Sequence, residues 1–154
     1  MLKDAVPLDG LKRALVIKLR HHGDVLLASP VLAALKAAAP RLEIDALVYD
    51  DTAAMLAGHP ALQQLHCVGR RWRTAGALRR LELEWALYRR LRARRYELIV
   101  HLCEHPRGAW LARHLGARWS VAPALPVSSK VSRKKYCTVS PAVKSPPGNV
   151  TCQY

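Results

Sequence analysis

Ala14-Leu15-Val16-Ile17-Lys18-Leu19-Arg20-His21-His22-Gly23-Asp24-Val25-Leu26-Leu27 is the stretch that decides how this chain is built. Ala14 to Leu19 is a mostly apolar run of strand length, and the polar loop Arg20-His21-His22-Gly23-Asp24 interrupts it. From Val25 to Ala39 the composition turns helix-friendly, rich in alanine and leucine. A buried strand passing through a short loop into a helix is the opening of a βαβ unit. The alternation then repeats. Ile44 to Tyr49, Leu65 to Val68 and Leu98 to Leu102 read as buried strands, and Trp119 to Val121 as a fifth. Thr52 to Ala57, Ala75 to Arg94 and Gly108 to Leu115 read as helices. Strands spaced by helices predict an α/β fold, a doubly wound parallel sheet of Rossmann-like type. Ligand crevices in such sheets open at the carboxyl ends of the strands. The loop 20–24 and the loop Cys103-Glu104-His105-Pro106-Arg107-Gly108 after the fourth strand are therefore expected to share one end.

Composition narrows the function classes. At 154 residues there is room for one ordinary domain. With 51% apolar and 23% charged residues the chain is globular rather than disordered. A net charge of +14 points to an anionic partner without saying which. Met1 to Lys12 carries no apolar export segment, and Val25 to Leu35 is too short to span a bilayer, so a cytoplasmic protein is expected. Cys67, Cys103, Cys137 and Cys152 show no CxxC spacing and read as reduced thiols. Near Pro123 the pattern breaks: residues 124–154 hold five bases and no acid, and they lose all strand or helix periodicity. Residues 12–123 are expected to form the domain and 124–154 an unrelated, disordered basic tail.

Three groups of residues could carry chemistry. Asp24 follows Gly23 where a strand loop opens a helix. Its ordinary job there is helix capping, and its sharper one is a general base at the crevice mouth. His21, His22 and Gly23 complete that loop, which is not a GxGxxG dinucleotide fingerprint. Arg70, Arg71 and Arg73 cluster after the third strand, on the expected ligand side, where guanidinium forks suit phosphate. The arginines from Arg79 to Arg95 read as a solvated helix face. His101-Leu102-Cys103-Glu104-His105 has the HxxEH spacing of inverted zinc peptidases, but those need both histidines on one helix, and His101 ends a strand-like run. No metal site is expected.

The opening run, with Ser29-Pro30 and Leu35-Lys36 after it, resembles the heptosyltransferases of glycosyltransferase family nine. Ile44 to Tyr49, Gly58-His59-Pro60, Arg70-Arg71-Trp72-Arg73 and Glu104-His105-Pro106-Arg107-Gly108-Ala109-Trp110-Leu111-Ala112 are similar to the branch that adds the third inner-core heptose. The resemblance covers residues 12–122 and implies the N-terminal, acceptor-binding half of a two-domain GT-B enzyme. Such enzymes transfer heptose from ADP-L-glycero-D-manno-heptose to the lipopolysaccharide inner core with inversion, and with no obligatory metal or cofactor. It implies Asp24 as the catalytic base, and Arg70, Arg71, Arg73 and, more weakly, Arg107 as holders of acceptor phosphates, with His21, His22, Gly23, Glu104 and His105 lining the pocket. It implies as partners the inner core with lipid A and, peripherally, the inner face of the inner membrane, with no nucleic acid. Since the family's donor-binding domain has no counterpart after residue 123, a truncated or frameshifted reading frame and an inactive chain are expected. The competing class is a nonenzymatic basic module that binds membrane or nucleic acid through charge alone.

Overall fold

The apolar run that opens the chain becomes β1 (Arg13–Ile17), in which Ala14 to Ile17 are each at most 1% exposed. The computed structural model describes residues 6–74, 76–103 and 106–123, together with two short strands further on. Next along the chain come α1 (His22–Leu26), α2 (Ser29–Ala38) and β2 (Glu43–Tyr49). A 3-10 helix at Asp50–Met55 leads to β3 (Leu62–Val68), and a 3-10 turn at Arg70–Arg73 leads to α3 (Ala77–Ala93). β4 (Leu98–His101), α4 (Pro106–His114) and β5 (Trp119–Pro123) complete the domain.

The strands lie in the order β3-β2-β1-β4-β5, all parallel. The chain winds outward from β1 to β3 and then crosses back to place β4 on the other side of β1. That reversal makes the gap between the ends of β1 and β4 the topological switch point. Of residues 124–154, expected to lack regular structure, two pieces are described. Cys137–Val139 (β6) extends the sheet in parallel beyond β5, and Cys152–Gln153 (β7) pairs antiparallel with it.

Period-two alternation sorts the core into two layers. Ala14, Val16, Ala46 and Val48 face Val25 of α1 and Leu32 of α2. Leu15, Ile17, Leu47 and Ile99 face Leu87 and Leu91 of α3 and Leu111 of α4. Each such leucine or isoleucine contributes about 1.5–3 kcal/mol on burial, so the double-sided sheet is the chief stabilising element.

Three expectations need correction. The helix expected over Val25–Ala39 is two helices, parted at Leu27–Ala28, because Pro30 has no N–H to give to Leu26 and sits instead in the first turn of α2. The segment expected as a helix over Thr52–Ala57 is the tighter 3-10 form and begins at Asp50. β3 starts three residues before Leu65, because an edge strand tolerates exposed Gln63 and Gln64.

The sheet also buries a charge. Asp45, in the middle of β2, is 0% exposed. Its carboxylate accepts from Arg94 Nε at 2.9 Å and from Tyr96 Oη at 2.6 Å, and His66 Nε2 lies 3.5 Å away. Burial by itself would raise the Asp45 pKa, but the hydrogen bonds from His66, Arg94 and Tyr96 outweigh it and hold the group down at about 2. Burial and the same carboxylate push the Tyr96 phenol well above its usual range. Arg94 thus leaves the solvated row it was grouped with and clamps α3 to β2, with Glu43 as a second partner at 3.1 Å.

Candidate active site

The first two loops at the carboxyl end of the sheet are tied together by short polar contacts. After β1 the Lys18 amide donates to Leu47 O of β2 at 3.0 Å, and the Leu102 amide donates to Ile17 O at 2.9 Å. Across the switch point the Lys18 ammonium donates to Leu102 O at 2.8 Å. These bonds fix the spacing of the β1 and β4 loops. Lys18 was not singled out in the sequence, although a lone base inside a buried run was a signal that its head must find a partner.

Asp24 sits in the third position of α1, half-buried, and is not its cap. The cap position is His21, with no side-chain capping bond. Among the described residues, no hydrogen bond or ion pair engages the Asp24 carboxylate. The capping role therefore falls away, and a half-open acid without a protein partner stands at the switch point. Gly23 has no positive φ, and a Cβ there would meet nothing within 4 Å. The space beside it is open. Because α1 is only five residues long, its macrodipole is too short to serve as a phosphate cradle.

The arginine loop lies on the same rim. His22 Nε2 meets Asp51 O at 2.9 Å, and Asp51 in turn binds Arg70 Nε at 2.7 Å. Asp50 accepts from the Arg70 amide at 3.1 Å, and the Arg70 guanidinium stacks 4.5 Å from the centroid of Tyr49. The β1, β2 and β3 loops thus form one chain of contacts, His22 to Asp51 to Arg70. Side chains of Arg70 and Asp51 are 42% and 39% exposed, and an exposed pair of this kind is worth at most about 1 kcal/mol. A phosphate can therefore take over the guanidinium fork at little cost. The Arg71 carbonyl accepts from the Thr74 hydroxyl at 2.8 Å, and its guanidinium bonds to nothing among the described residues. The backbone of Arg73 closes the 3-10 turn, and its side chain lies outside the described residues. Asp50 and Asp51, missed in the sequence, were marked there by paired acids directly after a buried strand.

The β4 side is less open. Glu104 and His105 lie outside the described residues. Arg107 stands in the first turn of α4, where Glu84 of α3 holds its guanidinium, and burial lowers its pKa from the ordinary value. His101 ends β4, buried, with Nε2 3.3 Å from Cys103 Sγ. It is in a strand and α4 begins only at Pro106, so the helix that HxxEH chemistry requires is not formed across it. Gly108 lies directly on the His101 ring: a Cβ there would come within 1.9 Å of Nε2. That glycine lets α4 pack on the end of β4.

Comparisons with known proteins match the fold. No family model matches the chain. It is 34% identical over 104 residues to lipopolysaccharide heptosyltransferase 3 of Escherichia coli strain K12, which takes in 68% of this chain and 30% of that protein. The solved heptosyltransferase WaaC of E. coli, with ADP-2-deoxy-2-fluoro heptose, superposes with a TM-score of 0.63 at 27% identity, over 72% of this chain and 36% of WaaC. A glycosyl transferase family 9 structure from Veillonella parvula shares the fold, with a TM-score of 0.62 at 24% identity over 71% of this chain and 31% of its own. The chain spans about a third of the length of the relatives it matches.

Proposed function

We propose that this chain, similar to a lipopolysaccharide heptosyltransferase over 68% of its own length, forms the acceptor-binding side of such a transferase. The observation that carries the proposal is the half-open Asp24 carboxylate at the switch point, with no hydrogen-bond or ion-pair partner among the described residues, on the same rim as Arg70 and Arg71.

In this mechanism Asp24 takes the proton of an acceptor sugar hydroxyl. The oxygen attacks the anomeric carbon of ADP-L-glycero-D-manno-heptose, the bond from that carbon to the diphosphate oxygen breaks, ADP leaves, and the configuration inverts. The proposed step assigns the proton to Asp24 and the departing negative charge to ADP, and it includes no metal, as the resemblance implies. Arg70 and Arg71 grip phosphates of the lipopolysaccharide inner core or lipid A, and Arg73 belongs to the same loop. Arg107, already bound by Glu84, supports the acceptor by holding α4 beside the β4 loop. His21, His22 and Gly23 form the wall on which the sugar lies.

The same proposal places the protein in the cytoplasm, peripherally at the inner face of the inner membrane. No helix among the described residues is long and apolar enough to cross a membrane. The described sheet accounts for the acceptor side alone, so the 154-residue polypeptide is expected to bind acceptor without turnover, because positioning the donor supplies much of the rate. Titrating the chain with soluble phosphorylated inner-core oligosaccharide tests the proposal. Binding that weakens about tenfold in Arg70→Ala/Arg71→Ala supports it, since two charge-assisted phosphate contacts would be lost. Equal binding by both proteins refutes it.

A further inference from the structure

Helix α3 is anchored along only half of its length. Leu87 and Leu91 reach the core, whereas every residue from Ala77 to Glu82 is exposed. On its outer side Leu78, Leu81, Trp85 and Tyr88 recur at spacings of three, four and three, which is a single helical stripe. The first three are 81%, 66% and 58% exposed. The stripe continues onto α4 through ring contacts: Trp85 to Tyr88 at 5.5 Å, Tyr88 to Trp110 at 5.9 Å and Trp110 to His114 at 4.5 Å. Isolated surface leucines are ordinary, but a continuous ridge with two tryptophans marks an interaction surface.

Charge identifies the occupant. α3 carries five arginines against two glutamates, and Arg92 lies over the Tyr88 ring at 5.9 Å. Arg89 and, on α4, Arg113 are exposed beside the ridge. We infer that the α3–α4 ridge docks the protein on an anionic phospholipid surface. Tryptophan and tyrosine settle at the boundary between acyl chains and water, and arginines flanking an apolar helical face meet the headgroup charge. A second copy of the chain is a poorer occupant, because it would press two arginine-rich faces together.

The placement also suits the crevice. α3 starts directly after the turn that holds Arg70, so its free half stands at the carboxyl end of the sheet. Docking there would hold a lipid-borne acceptor within reach of Asp24. That last link rests on the proposed function, whereas the docking does not.

The test is flotation of the 154-residue chain with vesicles of phosphatidylcholine alone and of phosphatidylcholine mixed with phosphatidylglycerol. Binding is expected to the mixed vesicles and to fall in high salt. Leu81→Ala/Trp85→Ala should reduce it by about tenfold or more, because the removed area is the inserted part. Both side chains are exposed, so the fold should persist, and circular dichroism checks that. Brominated lipid should quench tryptophan fluorescence in the unmodified chain, which tests insertion without any variant. Undiminished flotation of the variant would place binding in other basic residues and overturn the inference. Equal binding to neutral vesicles, absence of quenching, or a solution dimer that the variant loses would overturn it too. The vesicles contain no sugar, and the variant should bind soluble inner-core oligosaccharide as the unmodified chain does, so failure here is separable from failure of the acceptor site.

Discussion

Replacing Arg94 by methionine tests the buried charge network, and its cost should depend on pH in a direction that the structure dictates. At neutral pH the change removes the two guanidinium bonds to Asp45, at 2.9 and 3.2 Å, and leaves a carboxylate with 0% exposure held by Tyr96 and His66 alone. Breaking one side of a buried pair costs about 3–5 kcal/mol, and the 20% exposure of Arg94 places this case near the lower figure. The Asp45 pKa is depressed from 3.8 to about 2 in the folded chain. Its ionisation therefore stabilises the fold fully above the unfolded pKa near 4, and that contribution fades as pH falls toward 2. A shift of this size corresponds to roughly 2 kcal/mol. In Arg94→Met the hydrogen bonds and charge of Arg94 no longer lower the Asp45 pKa, while burial still raises it against His66 and Tyr96, so Asp45 takes up its proton at a higher pH and the unpaired charge is relieved sooner as pH falls. Urea unfolding at pH 7, 5 and 3 should show a deficit of about 3 kcal/mol at pH 7 that shrinks by 1 kcal/mol or more at pH 3. A deficit that stayed constant over this range would refute the assignment of Asp45 as a buried, paired carboxylate.

Gly108→Ala should destabilise the fold by about 1–3 kcal/mol in thermal or urea unfolding, because its Cβ would overlap the buried His101 ring and α4 would have to shift. Gly69→Ala should cost less, since the atoms in its way belong to Trp72, which is only partly buried, unlike His101. Asp24→Asn should leave oligosaccharide binding within about twofold by calorimetry, as a general base contributes to proton transfer rather than to ground-state affinity; a tenfold loss would make Asp24 a binding group instead. ADP release from ADP-heptose and acceptor by the 154-residue chain alone should be undetectable, and steady turnover would show that the donor site is complete within it.

Much of this protein could be read along the chain, because burial and helix formation depend on neighbours a few residues apart. The runs Ala14 to Leu19 and Ile44 to Tyr49 are apolar over a strand length, and the two-sided burial of a parallel sheet follows from that alone. The segment that bears Asp24 was recognisable because it joins a strand to a helix. Only tertiary structure decided which loops meet. His22 and Asp51 are 29 residues apart, Lys18 and Leu102 84 apart, and Asp45 and Arg94 49 apart. Nothing in local composition distinguishes Arg94, which clamps a buried acid, from Arg89 or Arg90, which face water. Those pairings arise from strand order, and strand order is settled when the whole sheet collapses and each buried charge finds its partner.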